Sequence, residues 1–473
     1  MRKTKIICTL GPAVDNEEAL RALIAGGMNA ARFNFSHGDH ASHLRTLESL
    51  RRAQEGFVQP IATILDTKGP EIRIRSFSTP SITLAEGDSF TLTAEDIVGD
   101  TSRVSITYPL LHERLEPGCH ILIDDGLIDL VVARVAAPEI LCTVREGGEL
   151  SANKSINIPS VSIPLPSLTE KDRADIRFGV EQGFDFVAAS FVRSVADIED
   201  MRAALREFGG EHIHIIAKIE NREGVDNIDE IIRAADGIMV ARGDLGVEIP
   251  PYEIPALQKS IIAKTLAQGK PVITATQMLE SMIRNPVPTR AEISDIANAV
   301  FDGTSCVMLS GETASGKHPI QSLSIMARTV EYADEFADSW ERFEKTYSDT
   351  EMSVENAISH SCCLTAMDLR ARAILAATAS GSTARRISRF RPACPIVALT
   401  LTERACRQLA LSWGVYPYIS KVMESTDELF DSCVSQGMQE GFVDAGDVVV
   451  ITAGVPIGQS GTTNIIKAQI AGE

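Results

Sequence analysis

The sequence predicts an α/β protein built on a (β/α)8 (TIM) barrel, with a small all-β lid domain inserted into the barrel and an open α/β domain after it. Three observations support this: eight apolar segments alternate with helical patterns, the alternation breaks once, and the pattern changes beyond about residue 350. The predicted strands are residues 5–10, 29–35, 61–66, 184–190, 213–219, 237–241, 271–275 and 305–310. The predicted helices are residues 17–25, 40–54, 170–181, 194–208, 225–234, 254–267, 289–300 and 320–337.

The break in the alternation follows Asp66-Thr67-Lys68-Gly69-Pro70, where about a hundred residues form short β-like runs separated by turn signals. Examples are SITLAEGDSFTLTA, CHILIDDGLIDLVVARV and EILCTVREGGEL. The insertion is predicted to leave the barrel at Gly69-Pro70 and to return near Pro166-Ser167. Pro and Gly at the junctions favour a hinged lid, with a decorative insertion as the alternative.

The carboxyl-terminal part of the chain predicts a separate domain. Residues 354–369 form a helical run, and strand candidates follow at residues 372–379, 394–400, 447–452 and 463–469, with helices between the first three. This pattern is typical of an open α/β domain with a mostly parallel sheet. The predicted domains are the barrel at 1–69 and 168–345, the lid at 70–167 and the carboxyl-terminal domain at 346–473.

The composition excludes several functional classes. The 473 residues are 44% hydrophobic and 23% charged, as in a soluble enzyme of roughly two to four domains. The net charge of −19 argues against a nucleic-acid or anionic-membrane partner. Nine scattered cysteines without a CxxC pair indicate reduced thiols and a cytoplasmic location. The amino-terminal apolar run is too short for a signal peptide, and no segment approaches a membrane-spanning length.

Polar side chains recur at the ends of the predicted barrel strands. In this fold the functional groups lie at the carboxyl ends of the strands. Six strand ends carry such groups, which indicates one shared pocket. The strand-end residues are Arg32, Asn34 and Ser36; Asp66 and Lys68; Lys218 and Glu220; Asp244; Thr276; and Ser310 with Glu312.

Lys218 and Glu220 lie on one side of the fifth predicted strand, and Asp244 follows the sixth. Because neighbouring parallel strands end at the same edge, the lysine is expected to meet two carboxylates. Two carboxylates suit Mg²⁺ (or Mn²⁺) and leave positions for water and a phosphate. The lysine can neutralise charge that moves between oxygens. A solvated ion pair is the alternative for a single Lys-x-Glu, and the recurrence of strand-end pairs favours the functional interpretation.

Nine motifs point to a known family. In chain order the sequence contains IICTLGPA, ARFNFSHG, LDTKGPEIR, IDDGLI, AKIEN, MVARGDLGVEIP, TATQMLESMI, NPVPTRAE and MLSGETASG. Together these runs closely resemble pyruvate kinases over essentially the whole chain, most densely in the barrel. The resemblance implies a mobile lid after the third strand and a regulatory carboxyl-terminal domain. It also implies phosphoryl transfer from phosphoenolpyruvate to ADP, which gives ATP and, after protonation of the enolate, pyruvate.

The resemblance assigns roles to the central residues. It implies that Glu220 and Asp244 are Mg²⁺ ligands and that Lys218 stabilises the phosphoryl group in flight. The substrate carboxylate is expected at the backbone N–H groups of Gly243 and Asp244 at a helix start, beside Thr276.

The resemblance also implies contacts for phosphate, potassium and nucleotide. The phosphate-binding arginines are Arg32 and, on the nucleotide side, Arg73. The implied K⁺ ligands, all oxygen donors, are Asn34, Ser36, Asp66 and Thr67. The implied nucleotide contacts are Asn34, His37, Arg73 and Lys154. Without the resemblance, His37 would be interpreted as an ordinary cap or loop histidine. Ser310 and Glu312 resemble groups that steer water or a proton toward the enolate.

Several positions distinguish this chain within the resemblance. At the position of Glu71, family members that require K⁺ have a glutamate, whereas members that do without K⁺ have a lysine whose ammonium supplies the positive charge. The resemblance therefore implies that this chain depends on K⁺. Ile74 departs from the threonine common in K⁺-requiring members. Ser315 replaces a lysine near the nucleotide site, and Lys317 lies two residues further on. Ala379 stands where some members have lysine, which puts fructose-1,6-bisphosphate in doubt as the effector.

A hydroxyl-rich loop precedes a predicted helix in the carboxyl-terminal domain and consists of Thr378, Ser380, Gly381, Ser382 and Thr383 around Ala379. Such a helix start binds an effector phosphate or is simply capped. The candidate effectors are AMP, a sugar monophosphate and fructose-1,6-bisphosphate, and the family implies a homotetramer. Two alternatives remain: another barrel enzyme acting on phosphoenolpyruvate or an oxoacid, such as an aldolase or lyase, and a catalytically inactive homologue.

Overall fold

The computed structural model describes residues 1–159, 161–348, 353–456 and 462–473, and it confirms the predicted barrel. Eight parallel strands close into a ring in which the first strand pairs with both the second and the eighth. Each strand lies within two residues of its predicted position. In chain order the barrel strands are Lys5–Thr9, Ala30–Asn34, Ala62–Asp66, Phe186–Ala189, His214–Ile219, Gly237–Ala241, Val272–Ala275 and Cys306–Leu309.

Several barrel helices begin at a residue whose side chain caps the helix. Asp39 accepts a hydrogen bond from the Ser42 N–H at 2.8 Å, and the Asp39 N–H donates to Ser42 Oγ at 3.0 Å. The single helix predicted over residues 225–234 is wrong, because Asn227 leaves the helical conformation and separates two short helices. The helices of this part of the chain are Glu17–Ala25, His40–Gln54, Glu170–Gln182, Val195–Glu207, Arg222–Asp226, Ile228–Ala234, Arg242–Glu248, Ile254–Ala267, Arg290–Phe301, Gly311–Ala314, Pro319–Phe336 and Ser339–Ser348.

The inside of the barrel is a packed apolar core. Ile7, Ile64, Met239 and Ile273 point into it and are fully buried. Leu411 of the carboxyl-terminal domain packs against the same cluster. The carboxyl-terminal domain therefore contributes to the barrel core directly.

The insertion forms an all-β unit, as predicted, with an apolar core of its own. Its return to the barrel is anchored by Arg193, whose guanidinium donates to the carbonyl oxygens of Ile163 at 3.1 Å and Leu165 at 2.9 Å. A two-stranded ribbon pairs Ser81–Leu84 with Gly148–Ser151. The main sheet has the order Ile72–Arg73, Ser155–Asn157, His120–Ile123, Ile128–Ala136, Glu139–Glu146, Ser89–Thr93 and Arg103–Ser105.

In the carboxyl-terminal domain the described strands form an open, mostly parallel sheet, as predicted, and the last strand is an antiparallel edge. The strand Val415–Ile419 was not predicted, because Pro417 interrupts its sequence pattern. This strand lies at the sheet edge, where a missing N–H is tolerated. The sheet order is Val415–Ile419, Ile396–Thr400, Ala373–Ala377, Val448–Gly454 and Thr463–Ile470. The helices are Val354–Asp368, Ser382–Arg389, Glu403–Leu409 and Thr426–Gln439.

The domain boundaries stay predictions. The boundary predicted between residues 345 and 346 falls inside helix Ser339–Ser348. All nine cysteines carry free thiols. Among the helices that the structure describes, none has both the length and the apolar character needed to cross a membrane.

Candidate active site

Lys218 lies at the carboxyl end of the fifth barrel strand and is the centre of a buried cluster. Its Nζ is 2.8 Å from Glu220 Oε1, 3.1 Å from Asp66 Oδ1 and 2.8 Å from Ser190 Oγ. Burial opposes the charge on Lys218, but the carboxylates of Asp66 and Glu220 outweigh burial and raise the pKa of the ammonium. The lysine is therefore held as a cation at the open end of the barrel.

Glu220 and Asp244 are the predicted metal ligands. The Phe191 N–H donates to Glu220 Oε2 at 2.6 Å. Burial raises the pKa of Glu220 to about 7, with Lys218 acting against the rise and Asp244 adding to it. Asp244 lies in the first turn of helix Arg242–Glu248, which starts directly after the sixth strand.

This donor set fits a divalent hard cation, since two carboxylates with unfavourable mutual electrostatics gain from a positive ion between them. Among the residues that the structure describes, no group of three or more His, Cys, Asp or Glu side chains is arranged to hold a metal. Glu220 and Asp244 would therefore need oxygens from a substrate and water to complete the coordination of Mg²⁺.

Arg32 and Asp66 form a second buried pair next to the lysine. Arg32 Nε is 2.6 Å from Asp66 Oδ2, and one Nη donates to Thr9 Oγ1 at 3.0 Å. Burial raises the pKa of Asp66, but Arg32 and Lys218 outweigh it and hold that pKa below its ordinary value. Asp66 is therefore a carboxylate shared between two cations.

The four predicted K⁺ ligands lie at neighbouring strand ends. Asn34 and Asp66 are partners in the register of the second and third strands. Asn34 Oδ1 accepts the Ser36 N–H at 3.1 Å, and Ser36 itself is exposed. Thr67 is buried, and its Oγ1 accepts the Ser190 N–H at 3.1 Å. The structure thus brings the residues to one region, where Asp66 and Thr67 already have protein partners.

Thr276 and Gly243 meet across two adjacent strand ends. Thr276 Oγ1 accepts the Gly243 N–H at 2.8 Å and donates to the Ala275 carbonyl at 2.7 Å. Thr276 has a φ of +68°, which is costly for a β-branched residue and indicates a tightly determined loop. Arg242 holds this loop by donating to the Thr276 carbonyl at 2.7 Å while pairing with Asp295.

The predicted nucleotide residues are distributed over the lid and the barrel. Arg73 pairs with Glu71, with its Nε at 2.9 Å and one Nη at 2.7 Å from Oε2. Lys154 Nζ lies 2.8 Å from Asp124 Oδ1. His37 is exposed on the loop after the second barrel strand. A cleft of about 380 Å³ between lid and barrel is lined by acidic side chains on both sides, among them Glu71, Asp125, Asp244 and Glu248.

Glu312 is fully buried and holds two loops together. Its Oε1 accepts the Leu279 N–H at 3.0 Å, and its Oε2 accepts the Ser310 N–H at 2.7 Å. Both oxygens thus orient backbone after the seventh and eighth strands, which favours a positioning role over proton transfer. Ser310 Oγ is buried and has no hydrogen-bond partner in the described structure.

The hydroxyl-rich loop of the carboxyl-terminal domain lies at the start of helix Ser382–Arg389, as predicted. Gly381 has a φ of +82°, and a Cβ there would meet Leu409, so glycine is required. Thr383 Oγ1 is 2.6 Å from Thr463 Oγ1, and Thr378 is buried. Part of the predicted effector loop is therefore engaged within the domain.

Three contacts at the centre escaped the sequence analysis. Ser190 and Thr9 lie next to the ends of the fourth and first strands, where the strand-end rule would have found them. The hydrogen bond from the Phe191 N–H to Glu220 could not be predicted from the sequence, because it depends on the Phe191 backbone having a φ of +56°.

The fold and the cluster define a (β/α)8-barrel enzyme with its site at the carboxyl ends of the strands. Residues 1–323 match the family described as pyruvate kinase, barrel domain, and residues 356–468 match pyruvate kinase, alpha/beta domain. A pyruvate kinase of Clostridium acetobutylicum is 49% identical over 471 residues, covering 99% of this chain and 100% of the relative. That of Geobacillus stearothermophilus is 48% identical, covering 99% of this chain and 80% of the relative.

The crystal structure of a pyruvate kinase from Cryptosporidium parvum is similar, with a TM-score of 0.95 and 39% identity over 99% of this chain and 96% of that chain. The chain belongs to the pyruvate kinase family, and it is a phosphotransferase.

Proposed function

We propose that this protein transfers the phosphoryl group of phosphoenolpyruvate to ADP, giving ATP and pyruvate, as the last step of glycolysis in the cytoplasm. The observation that carries the proposal is the Lys218 cluster, where a buried cation lies within 3.1 Å of two carboxylates at the open end of the barrel. Membership of the family supports the choice of substrates.

The side chains suit the charges of this reaction. Phosphoryl transfer is catalysed chiefly by positioning and by neutralising charge on the transferred group. Lys218 supplies a fixed positive charge to that group, and Arg32 binds the substrate phosphate. Backbone N–H groups of Gly243 and Asp244 bind the substrate carboxylate, and for this the Gly243 N–H must share or release its hydrogen bond to the Thr276 hydroxyl.

Two cations complete the proposed site. Mg²⁺ (or Mn²⁺) would be held by Glu220 and Asp244, and when bound it supplies positive charge at the phosphoryl oxygens. K⁺ would be held by Asn34, Ser36, Asp66 and Thr67, and when bound it adds positive charge near the phosphates. For Asp66 to take part, it must share its oxygens with Arg32 and Lys218. ADP and ATP would contact Asn34, His37, Arg73 and Lys154.

Regulation is proposed at the loop of Thr378, Ser380, Gly381, Ser382 and Thr383, in a homotetramer. The hydroxyl groups at the start of helix Ser382–Arg389, where Ser380 and Ser382 are partly exposed, support binding of a phosphorylated effector: AMP, a sugar monophosphate or fructose-1,6-bisphosphate. Replacing Ser380 and Ser382 by Asp places negative charge where the phosphate binds. Loss of activation with retained basal activity would support this loop, and undiminished activation by all three effectors would exclude it.

A coupled assay tests the reaction directly. The purified chain is supplied with phosphoenolpyruvate, ADP, Mg²⁺ and K⁺, and formation of ATP and pyruvate is measured. The proposal requires both products in equal amounts and no pyruvate without ADP. Pyruvate or an aldol product without ATP would indicate a different barrel enzyme, and no turnover would indicate an inactive homologue.

A further inference from the structure

The loop of residues 34–38, called the Ser36 loop below, follows the second barrel strand and carries three of the proposed ligand contacts. Asn34 and Ser36 are proposed for K⁺, and Asn34 and His37 for the nucleotide. Ser36 and His37 are exposed, so neighbouring side chains do not fix them by burial. Their positions therefore depend on how the backbone of the loop is held.

Two side chains hold the backbone carbonyl groups on either side of Ser36. Lys171 Nζ donates to the Phe35 carbonyl oxygen at 2.8 Å. His43 Nε2 lies 2.9 Å from the His37 carbonyl oxygen. Burial lowers the pKa of His43, so at neutral pH its ring carries one N–H. Because a carbonyl oxygen only accepts, that N–H is on Nε2 and donates to His37.

Both donors are fixed by partners of their own. Lys171 Nζ lies 2.6 Å from Asp175 Oδ2, and the other oxygen of this carboxylate lies 2.7 Å from His40 Nε2. The Asp175 side chain is only 2% exposed, which holds the carboxylate in one place. The His43 ring stacks on the Phe35 ring, with their centres 4.1 Å apart. The orientation of each donor is therefore set by the packing around it.

The contact to His37 does more than satisfy a buried group. Phe35 is 1% exposed, and its carbonyl needs a donor wherever the loop lies. His37 is exposed, so water could serve its carbonyl equally well. A ring donor in place of water constrains the loop. We propose that Lys171 and His43 are positioning residues that set the geometry of the Ser36 loop for K⁺ and for ADP.

This inference rests on the proposed function, and it predicts which ligands are affected. Groups that orient metal ligands through hydrogen bonds typically change metal affinity about 10- to 100-fold when they are removed. Glu220 and Asp244 are held from other strands, so the proposed Mg²⁺ site does not depend on the Ser36 loop. Loss of Lys171 or His43 should therefore weaken K⁺ and ADP while leaving Mg²⁺ unaffected.

Two substitutions remove the donors while keeping most of the packing. Lys171→Met keeps a long side chain, and His43→Phe keeps a ring that can stack on Phe35. For each variant, the K⁺ concentration for half-maximal ATP formation and the KM for ADP should rise about tenfold or more. Turnover at saturating K⁺ and ADP should stay within about threefold. Lys171→Arg and His43→Gln retain a donor and should recover part of the loss.

Two measurements report on the loop without turnover. Amide hydrogen exchange of residues 34–38, measured without K⁺ or nucleotide, should be faster in Lys171→Met and His43→Phe than in the unmodified chain. Exchange in helix Val195–Glu207 should be unchanged, which separates a local effect from a general loss of stability. Calorimetry should show ADP binding weakened by about the same factor as its KM.

Lys264→Met is the matched control. Lys264 is a half-exposed lysine that lies 2.8 Å from Asp229, and its loss should alter neither the K⁺ nor the ADP values. If the unmodified chain makes ATP and both donor variants keep its K⁺ and ADP constants, this inference is overturned and the proposed function stands. A fall in turnover with both constants unchanged would also contradict it. No ATP formation by the unmodified chain would overturn the proposed function and this inference together.

Discussion

The two ends of the barrel each bury a lysine, and the two lysines are held in opposite ways. Lys5 in the first strand is 3% exposed, and Lys218 in the fifth strand is 8% exposed. Lys5 Nζ donates to the Val415 carbonyl at 2.6 Å and lies 4.4 Å from the centre of the Tyr416 ring. Burial lowers the pKa of Lys5 to about 7, whereas carboxylates raise the pKa of Lys218 against the effect of burial.

The difference shows that burial alone does not mark a functional lysine. At the amino end, Lys5 joins the barrel to the carboxyl-terminal domain through a carbonyl and a ring, and its charge is penalised. At the carboxyl end, Asp66 and Glu220 preserve the charge of Lys218 at the strand ends, next to Asp244, which lines the lid cleft. Substitutions at the carboxyl end should therefore change turnover, and substitutions at the amino end should change stability.

The largest effect is expected for Asp244→Asn, which removes one of the two carboxylates proposed for Mg²⁺. Turnover should fall about 100-fold or more, because charge on the transferred group is less well neutralised. The Mg²⁺ concentration for half-maximal activity should also rise. Asp229→Asn, which changes a surface carboxylate paired with Lys264, is the matched control and should alter neither quantity. An unchanged Mg²⁺ titration for Asp244→Asn would remove Asp244 from the metal site.

A smaller effect is expected for Glu71→Lys at the edge of the lid. Glu71 pairs with Arg73 at the lid junction and follows the proposed K⁺ ligand Thr67 closely in the chain, so an ammonium there is expected to replace part of the charge of the ion. The unmodified chain should lose most activity when tetramethylammonium replaces K⁺, and Glu71→Lys should recover roughly tenfold in that buffer.

Glu149→Lys, a substitution of an exposed lid glutamate, controls for charge alone and should recover nothing. Full activity of the unmodified chain without K⁺ would show that no such ion is needed.

The smallest effect on turnover is expected for Lys5→Met, which should stay within about twofold because Lys5 lies at the far end of the barrel. Its effect on stability depends on pH. The Lys5 pKa is about 7 in the folded chain against an ordinary value of 10.5. Between these values the unfolded chain binds a proton that the folded chain lacks, so raising the pH stabilises the unmodified protein.

Lys5→Met lacks this gain. From pH 6.5 to pH 9.5 the unmodified chain should gain about 3 kcal/mol relative to the variant, measured by thermal unfolding. A stability difference that is constant with pH would contradict the penalty assigned to Lys5.

The barrel and its central cluster were predictable because they follow from local patterns. Each strand is a short apolar run, and Lys218, Glu220 and Asp66 directly follow or end such runs. The sharing of Asp66 between Arg32 and Lys218 was not predictable, because it depends on side-chain geometry across three strands.

The central claim is that the Lys218 charge acts on the phosphoryl group during transfer. Lys218→Met is compared with Lys5→Met in two assays: ATP formation from phosphoenolpyruvate and ADP, and exchange of the methyl protons of added pyruvate with solvent deuterium. The exchange moves no phosphoryl group, so it reports an intact site. Substrate binding by both variants is measured by calorimetry.

The account predicts that Lys218→Met lowers ATP formation about 100-fold or more while phosphoenolpyruvate still binds and proton exchange continues. Lys5→Met should retain both activities. Near-normal ATP formation by Lys218→Met would contradict the role given to this lysine.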